Sequence, residues 1–234
     1  MRKERGQEGG EEARQEGPSK KEEEIILACR LLEKHYKGRK PAVKLRSPFQ
    51  TLVATALSAR TKDANTLKAC GLLFAKYPTA DALAKATPAR VEPLIKSTGM
   101  YKAKARNIIE LAKRVEKGVP KTIEELVELP GVGRKTANCT LIYAFGIPAM
   151  CVDTHVHRIS NLLGWVSTKT PGQTEMALRE ILPKRYWCGV NDWLVKHGQE
   201  VCPANRPKCG ECFLKNLCDH GRSACAEGNI INTC

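Results

Sequence analysis

Apolar residues recur at helical spacing along this chain, and from residue 22 onward that period organises nearly every segment. Ile25, Ala28, Cys29, Leu32 and Tyr36 fall on one face behind an acidic first turn, which predicts an amphipathic helix. Ser47-Pro48 reads as an N-cap with proline at the first helical position, ahead of Phe49, Leu52, Val53, Ala56 and Leu57. Asp63 and Thr87-Pro88 open two more helices. Gly99 ends the second, and Tyr101 to Val115 resumes with Ile108, Leu111, Ala112 and Val115 on one side. Thr122 and Glu125 have the spacing of a capping box. Pro171 begins a periodic stretch through Met176, Ile181 and Leu182, and Val190 to His197 forms the last helix of the pattern. No segment alternates with the period of a strand and no internal repeat is present, so the expected class is all-α. Met1 to Ser19 breaks the pattern. Glu, Arg, Gln and Gly dominate there, too little apolar surface exists to offset the entropy of ordering, and a disordered tail over residues 1–21 is expected.

Between two of the helical stretches runs Leu129-Pro130-Gly131-Val132-Gly133-Arg134-Lys135-Thr136. Pro130 stops one helix, Gly131 and Gly133 permit a tight turn, and a second helix continues to Phe145 with Gly146 as its stop. The N-terminus of that second helix points outward with unpaired amides and the positive end of its dipole, an arrangement suited to phosphate. A plain interhelical turn is the competing reading. Backbone contacts of this kind hold a duplex without distinguishing bases.

Charge bears on the choice. The chain has 234 residues, 42% of them hydrophobic, and a net charge of +14. Residues 1–20 carry five basic groups and five glutamates, so the whole excess belongs to the remainder, and a polyanionic partner is favoured. The length suits one compact domain or two small ones. There are eleven cysteines, but no basic start leads into an apolar segment and no apolar run reaches membrane length. A reducing intracellular compartment is expected.

Four of the cysteines form a cluster, Cys202, Cys209, Cys212 and Cys218, with intervals of six, two and five residues. Thiolates in one short loop converge on a single centre at little cost in chain closure, and four soft ligands select zinc or iron-sulfur over hard cations. Structural zinc sites usually pair two Cys-x-x-Cys knuckles, whereas one knuckle with two outlying cysteines leans towards iron-sulfur. Unligated core thiols or two disulfides are the alternative.

Lys135 lies in the first turn of the hairpin's second helix, where the dipole and Arg134 both disfavour positive charge. A lysine with a larger neutral fraction can attack an electrophilic carbon and form a Schiff base when a carboxylate assists. Asp153, in Met150-Cys151-Val152-Asp153-Thr154-His155, is the candidate carboxylate, and it also stands where an N-cap would.

Hairpin, Val-Asp-Thr-His segment and cysteine loop, in this order and at these distances, resemble the endonuclease III family of the helix-hairpin-helix (HhH-GPD) DNA glycosylases over roughly residues 24 to 218. The resemblance implies a six-helix barrel domain (41–147) beside a four-helix domain (22–40 and 148–220) holding a 4Fe-4S cluster on the four cysteines, with 221–234, including Cys225 and Cys234, as an extension of unknown role. It implies a monomer acting on double-stranded DNA that carries a damaged or mismatched base. Lys135 would attack C1′ and Asp153 would assist. Beta-elimination would then cut the strand, as in bifunctional glycosylase/AP lyases that remove oxidised pyrimidines. Gly131, Val132, Gly133 and Arg134 would meet the DNA backbone. Leu57-Ser58-Ala59-Arg60 replaces the family's Leu-Ser-Ala-Gln, which would put Arg60 in the gap left by the flipped base. Gly99-Met100-Tyr101 replaces Gly-Leu-Tyr and makes Met100 either an inserted wedge or a core methionine. His155 matches a pocket position, with a structural role as the alternative. Arg60 also motivates a rival assignment, a thymine or uracil glycosylase acting opposite guanine. A redox-sensing DNA-binding module without catalysis is the third.

Overall fold

Ser19 starts the first helix earlier than the polar tail suggested. In the computed structural model, which describes residues 19–38 and 47–226, Ser19 Oγ accepts from Glu22 N at 3.3 Å and Ser19 N donates to Glu22 Oε2 at 2.6 Å. That complete capping box fixes helix α1 at Lys20–Tyr36, so the expected tail loses its last residues to a helix. The rest of that tail, residues 1–18, lies outside the described residues, as do 39–46 and 227–234 with Cys234. Ile25, Ala28, Cys29, Leu32 and Tyr36 are the buried face of α1, as their period requires.

Seven helices follow: α2 Pro48–Ser58, α3 Asp63–Lys76, α4 Ala80–Ala84, α5 Pro88–Val91, α6 Tyr101–Arg114, α7 Ile123–Val127 and α8 Arg134–Phe145. They enclose one apolar cluster built around Leu52, Leu57, Leu73, Ile95, Ile108 and Leu111. Ser47 caps α2 through Gln50 N (3.2 Å), with Pro48 in its first turn. Thr136 to Ile142 of α8 are buried without a break, so the middle of α8 runs through the interior while its first turn and Tyr143 reach the surface. Gly146 ends it in the left-handed conformation at φ 65°, with Gly146 N to Ile142 O at 2.9 Å and Ile147 N to Leu141 O at 3.0 Å.

The last four helices, α9 Thr154–Leu162, α10 Pro171–Ile181, α11 Trp187–Glu200 and α12 Asp219–Ala226, join α1 around a second cluster that includes Leu32, Met150, Ile159, Leu178, Leu194 and Leu214. The link between the clusters is a non-helical segment whose side chains alternate. Ala149 and Cys151 enter the first cluster, Met150 and Val152 the second. Two cores are thus stitched together one residue before Asp153.

Several local expectations differ from what is observed. Thr122 caps α7 through Glu125 N (3.3 Å), but Glu125 Oε2 meets the Thr122 hydroxyl (2.6 Å) and not its amide, so the capping box is half formed. The helix at Thr87-Pro88 lasts four residues and gives way to turns before Gly99. Met176, placed on the apolar stripe of α10, is 53% exposed. The helix expected over Val190–His197 extends three residues further at each end, and α4 and α12 had no forecast. Position 220 falls inside α12, so the proposed extension begins as helix. Among the described residues no strand occurs, and no helix is long and apolar enough to cross a membrane.

Candidate active site

Gly131 is obligatory to the hairpin. Its φ is +76°, and an added Cβ would stand 2.9 Å from Asn107 Nδ2. Val132 turns its side chain into the first core (6% exposed) and its N–H to Leu129 O at 3.1 Å, so it anchors the turn from inside. Gly133 has an ordinary φ of −96° with open space where a Cβ would be. No side chain caps α8, which leaves its first amides to a foreign acceptor. Arg134, expected at phosphate, is held by the buried Glu175 of α10, with Nη2 to Oε1 at 2.6 Å and Nε to Oε2 at 3.1 Å. Glu175 raises the pKa of the guanidinium through that hydrogen bond and its charge. Lys135 is exposed in the first turn, directly before the buried run.

Asp153 caps α9, its Oδ1 accepting from Val156 N at 2.8 Å. Its segment packs into the same apolar cluster as α8, and sulfur adds a tie. Cys139, one turn after Lys135, forms a disulfide with Cys151, two residues before Asp153, and Cys151 Sγ lies 3.8 Å from Lys135 O. Asn191 of α11 holds the same segment from behind, donating to Cys151 O at 3.1 Å. Tyr143 bridges α8 to α11, with its hydroxyl 2.6 Å from Asp192 Oδ1 and 3.3 Å from Asn191 Oδ1. Burial, then Asp192, raises the tyrosine pKa and keeps the phenol protonated. The disulfide, Glu175, Asn191 and Tyr143 all escaped the sequence reading. The Cys139/Cys151 pair was visible only as two cysteines twelve residues apart across a proline.

Arg60 and Met100 come together. They are the two non-glycine residues with positive φ among the described residues, at 53° and 57°. A Cβ at Gly99 would touch Arg60 O at 3.4 Å. Met100 is 64% exposed, which removes the core-methionine alternative. His155 lies elsewhere. Its Nδ1 is buried without a hydrogen-bond partner against Gly198 of α11, where a Cβ would approach to 2.3 Å, so the ring packs between α9 and α11.

The four clustered cysteines line one cavity with His197, Pro207 and Leu163. Arg158 reaches Cys202 (Nη1 to Sγ, 3.5 Å), Gly221 N donates to Cys218 Sγ at 3.3 Å, and His197 Nε2 is 3.6 Å from Cys212 Sγ. Burial pushes the Cys212 thiol up to about 11, and the neighbouring thiols add to this. Four thiolates in one loop repel one another unless a positive centre lies among them, so the donor set fits a group held by thiolates. Among the described residues, no three ligating side chains stand at single-ion distance.

Comparison with known proteins bears on the whole arrangement. Residues 53–184 match the family model described as "HhH-GPD superfamily base excision DNA repair protein". Endonuclease III of Thermotoga maritima is 51% identical over 193 residues, covering 81% of this chain and 90% of that protein. Endonuclease III of Synechocystis is 40% identical over 206 residues, covering 86% and 93%. Among solved structures, a trapped covalent intermediate of endonuclease III with DNA superimposes with a TM-score of 0.80 at 35% identity, covering 87% of this chain and 98% of that one.

Proposed function

Because this chain belongs to the HhH-GPD superfamily of base excision DNA repair proteins, we infer from its site that it is a DNA glycosylase with AP lyase activity, acting on oxidised pyrimidines in duplex DNA. The observation that carries the chemistry is an exposed amine and a fixed carboxylate on two segments clamped together, Lys135 at the open end of α8 and Asp153 at the cap of α9. The two apolar clusters would be the cores of the barrel and cluster domains, with DNA lying over the hairpin between them.

In this reading the amides of Gly133 and the first turn of α8 receive a backbone phosphate. The Lys135 amine attacks C1′, the bond from C1′ to the base breaks, and the base departs with the electron pair. Asp153 takes up the ammonium proton and passes it to the ring oxygen O4′ as the bond from C1′ to O4′ breaks with its electron pair; the nitrogen lone pair closes the iminium, whose positive charge the carboxylate steadies. Loss of a proton from C2′ then breaks the bond from C3′ to oxygen and cuts the strand. Cys202, Cys209, Cys212 and Cys218 would hold a 4Fe-4S cluster, which supplies a rigid cationic core for the loop bearing Arg206, Lys208 and Lys215. Neither proton transfer involves it.

Borohydride trapping on duplexes carrying thymine glycol or a G·T mismatch tests the proposal, with wild type beside Lys135→Ala. A Lys135-dependent adduct on thymine glycol is expected. An adduct confined to G·T would transfer the substrate to mismatched thymine, and base release without any adduct would overturn the imine step.

A further inference from the structure

Lys104 is half-buried, and its amine meets acceptors that come from one short stretch of chain. Its Nζ donates to Leu57 O at 2.8 Å, to Ala59 O at 2.7 Å and to the Thr61 hydroxyl at 2.8 Å. All three ammonium hydrogens are therefore spent on the residues either side of Arg60. Two of those acceptors are carbonyls at the C-terminal end of α2, where the helix leaves oxygens unpaired and its dipole favours a cation. Burial lowers the pKa of this lysine, while three acceptors on one nitrogen favour its charged form. The backbone of the same residue points the other way. Lys104 N donates to Met100 O at 3.0 Å, one turn back in α6.

The Lys104 side chain thus grips the Arg60 turn from a residue that the first helical bond of α6 already fixes to the Met100 turn. Arg60 and Met100 each hold a backbone conformation that is unfavourable for a residue with a Cβ, and such strain persists only where the surroundings over-determine it. The Gly99 backbone lies beside Arg60 O, so the two turns are neighbours. Met100 presents a long apolar side chain to solvent with nothing in the fold to cover it.

We propose that Lys104 is a positioning residue that locks the Arg60 turn and the Met100 turn into one two-pronged wedge for opening the duplex at the lesion. This rests on the reading of the protein as a glycosylase in which Met100 parts the stack and Arg60 occupies the vacated space, and it adds the residue that keeps their spacing without touching DNA, Lys104. A rigid wedge avoids the entropic cost of ordering two loops at each encounter.

The test is Lys104→Met, which keeps the stem and removes the donors, assayed as iron-loaded protein. Two quantities are read on a thymine glycol duplex with 2-aminopurine opposite the lesion: the single-turnover excision rate and the fluorescence rise as the orphaned base unstacks. Both are expected to fall by at least about tenfold, because hydrogen bonds to a charged group are lost at each of three acceptors, with melting temperature and visible absorption close to wild type. Thr61→Val removes one acceptor and leaves Lys104 in place. It is expected to move both quantities in the same direction by less, and it serves if Lys104→Met does not fold. Excision that slows with an undiminished fluorescence rise, or that does not slow, would overturn the proposal. Arg60→Ala and Met100→Ala are measured alongside. If neither alters the fluorescence rise, the wedge reading itself fails; if they do and the Lys104 and Thr61 variants do not, only the role of Lys104 fails.

Discussion

Arg134 and Glu175 form a two-point ion pair between α8 and α10, at 2.6 and 3.1 Å, with the glutamate side chain only 6% exposed. The pair joins a helix of the first core to a helix of the second and takes up the charge that the local sequence would assign to phosphate. Arg134→Gln is therefore expected to leave the slope of DNA affinity against salt unchanged. A residue that neutralises a phosphate would lower that slope by about 0.9. Glu175→Gln, which breaks the pair from its buried side, is expected to reduce stability by about 1 kcal/mol after allowance for the exposed guanidinium. Denaturant melts and salt titrations decide both.

Gly131→Ala should disturb stability and DNA binding together. The left-handed φ costs about 1–2 kcal/mol, and the new methyl meets Asn107 at 2.9 Å. Adding Asn107→Ala removes the clash but not the backbone strain, so partial recovery in melting temperature is the expected result of the double variant. Full recovery would mean that φ contributes nothing.

Cys29 and Cys70 make the fold sensitive to alkali. Burial is the main cause in both, raising Cys29 to about 12 and Cys70 to about 11 from an ordinary 9.0. The unfolded chain ionises these thiols first. Their contribution is therefore complete below pH 9 and lost as pH climbs from 9 towards 11–12, by about 2 kcal/mol for Cys29 at pH 10.5. Urea midpoints measured from pH 8 to 10.5 should fall more steeply for wild type than for Cys29→Ala.

The bond between Cys139 and Cys151 is expected in non-reducing peptide maps. Both sulfurs are buried, so a dithiol at neutral pH should open it only when the protein unfolds. Closing a loop of this length stabilises by about 3 kcal/mol, and Cys151→Ala should lower the melting temperature accordingly. It should also slow borohydride trapping more than it weakens DNA binding, because the bond ties the Lys135 helix to the Asp153 segment.

Much of this protein is legible without coordinates. The buried face of α1, the Ser47 cap of α2, the Gly146 stop of α8 and the left-handed turn at Gly131 follow from local chemistry: apolar period, side-chain oxygens near free amides, and the one residue without a Cβ. The cysteine spacing and the lysine at a helix N-terminus are equally local, which is why both stand out in the sequence as candidates. Short elements were poorly forecast for the complementary reason. α4 and α5 span about one turn each and carry too few apolar positions to show a period. Ser19 was lost in a polar tail because a capping box takes only two residues.

Pairings across the chain were decided by tertiary structure alone. Glu175 is 41 residues from Arg134, and Asn191 is 40 from Cys151. Lys104 lies 43 to 47 residues from the acceptors it binds. Two of those acceptors are backbone carbonyls, which every residue possesses, so no spelling of the sequence marks them. Residue type sets which groups can donate, accept or attack. Only the packing of α2 against α6, and of α8 against the segment before α9, determines which of them meet.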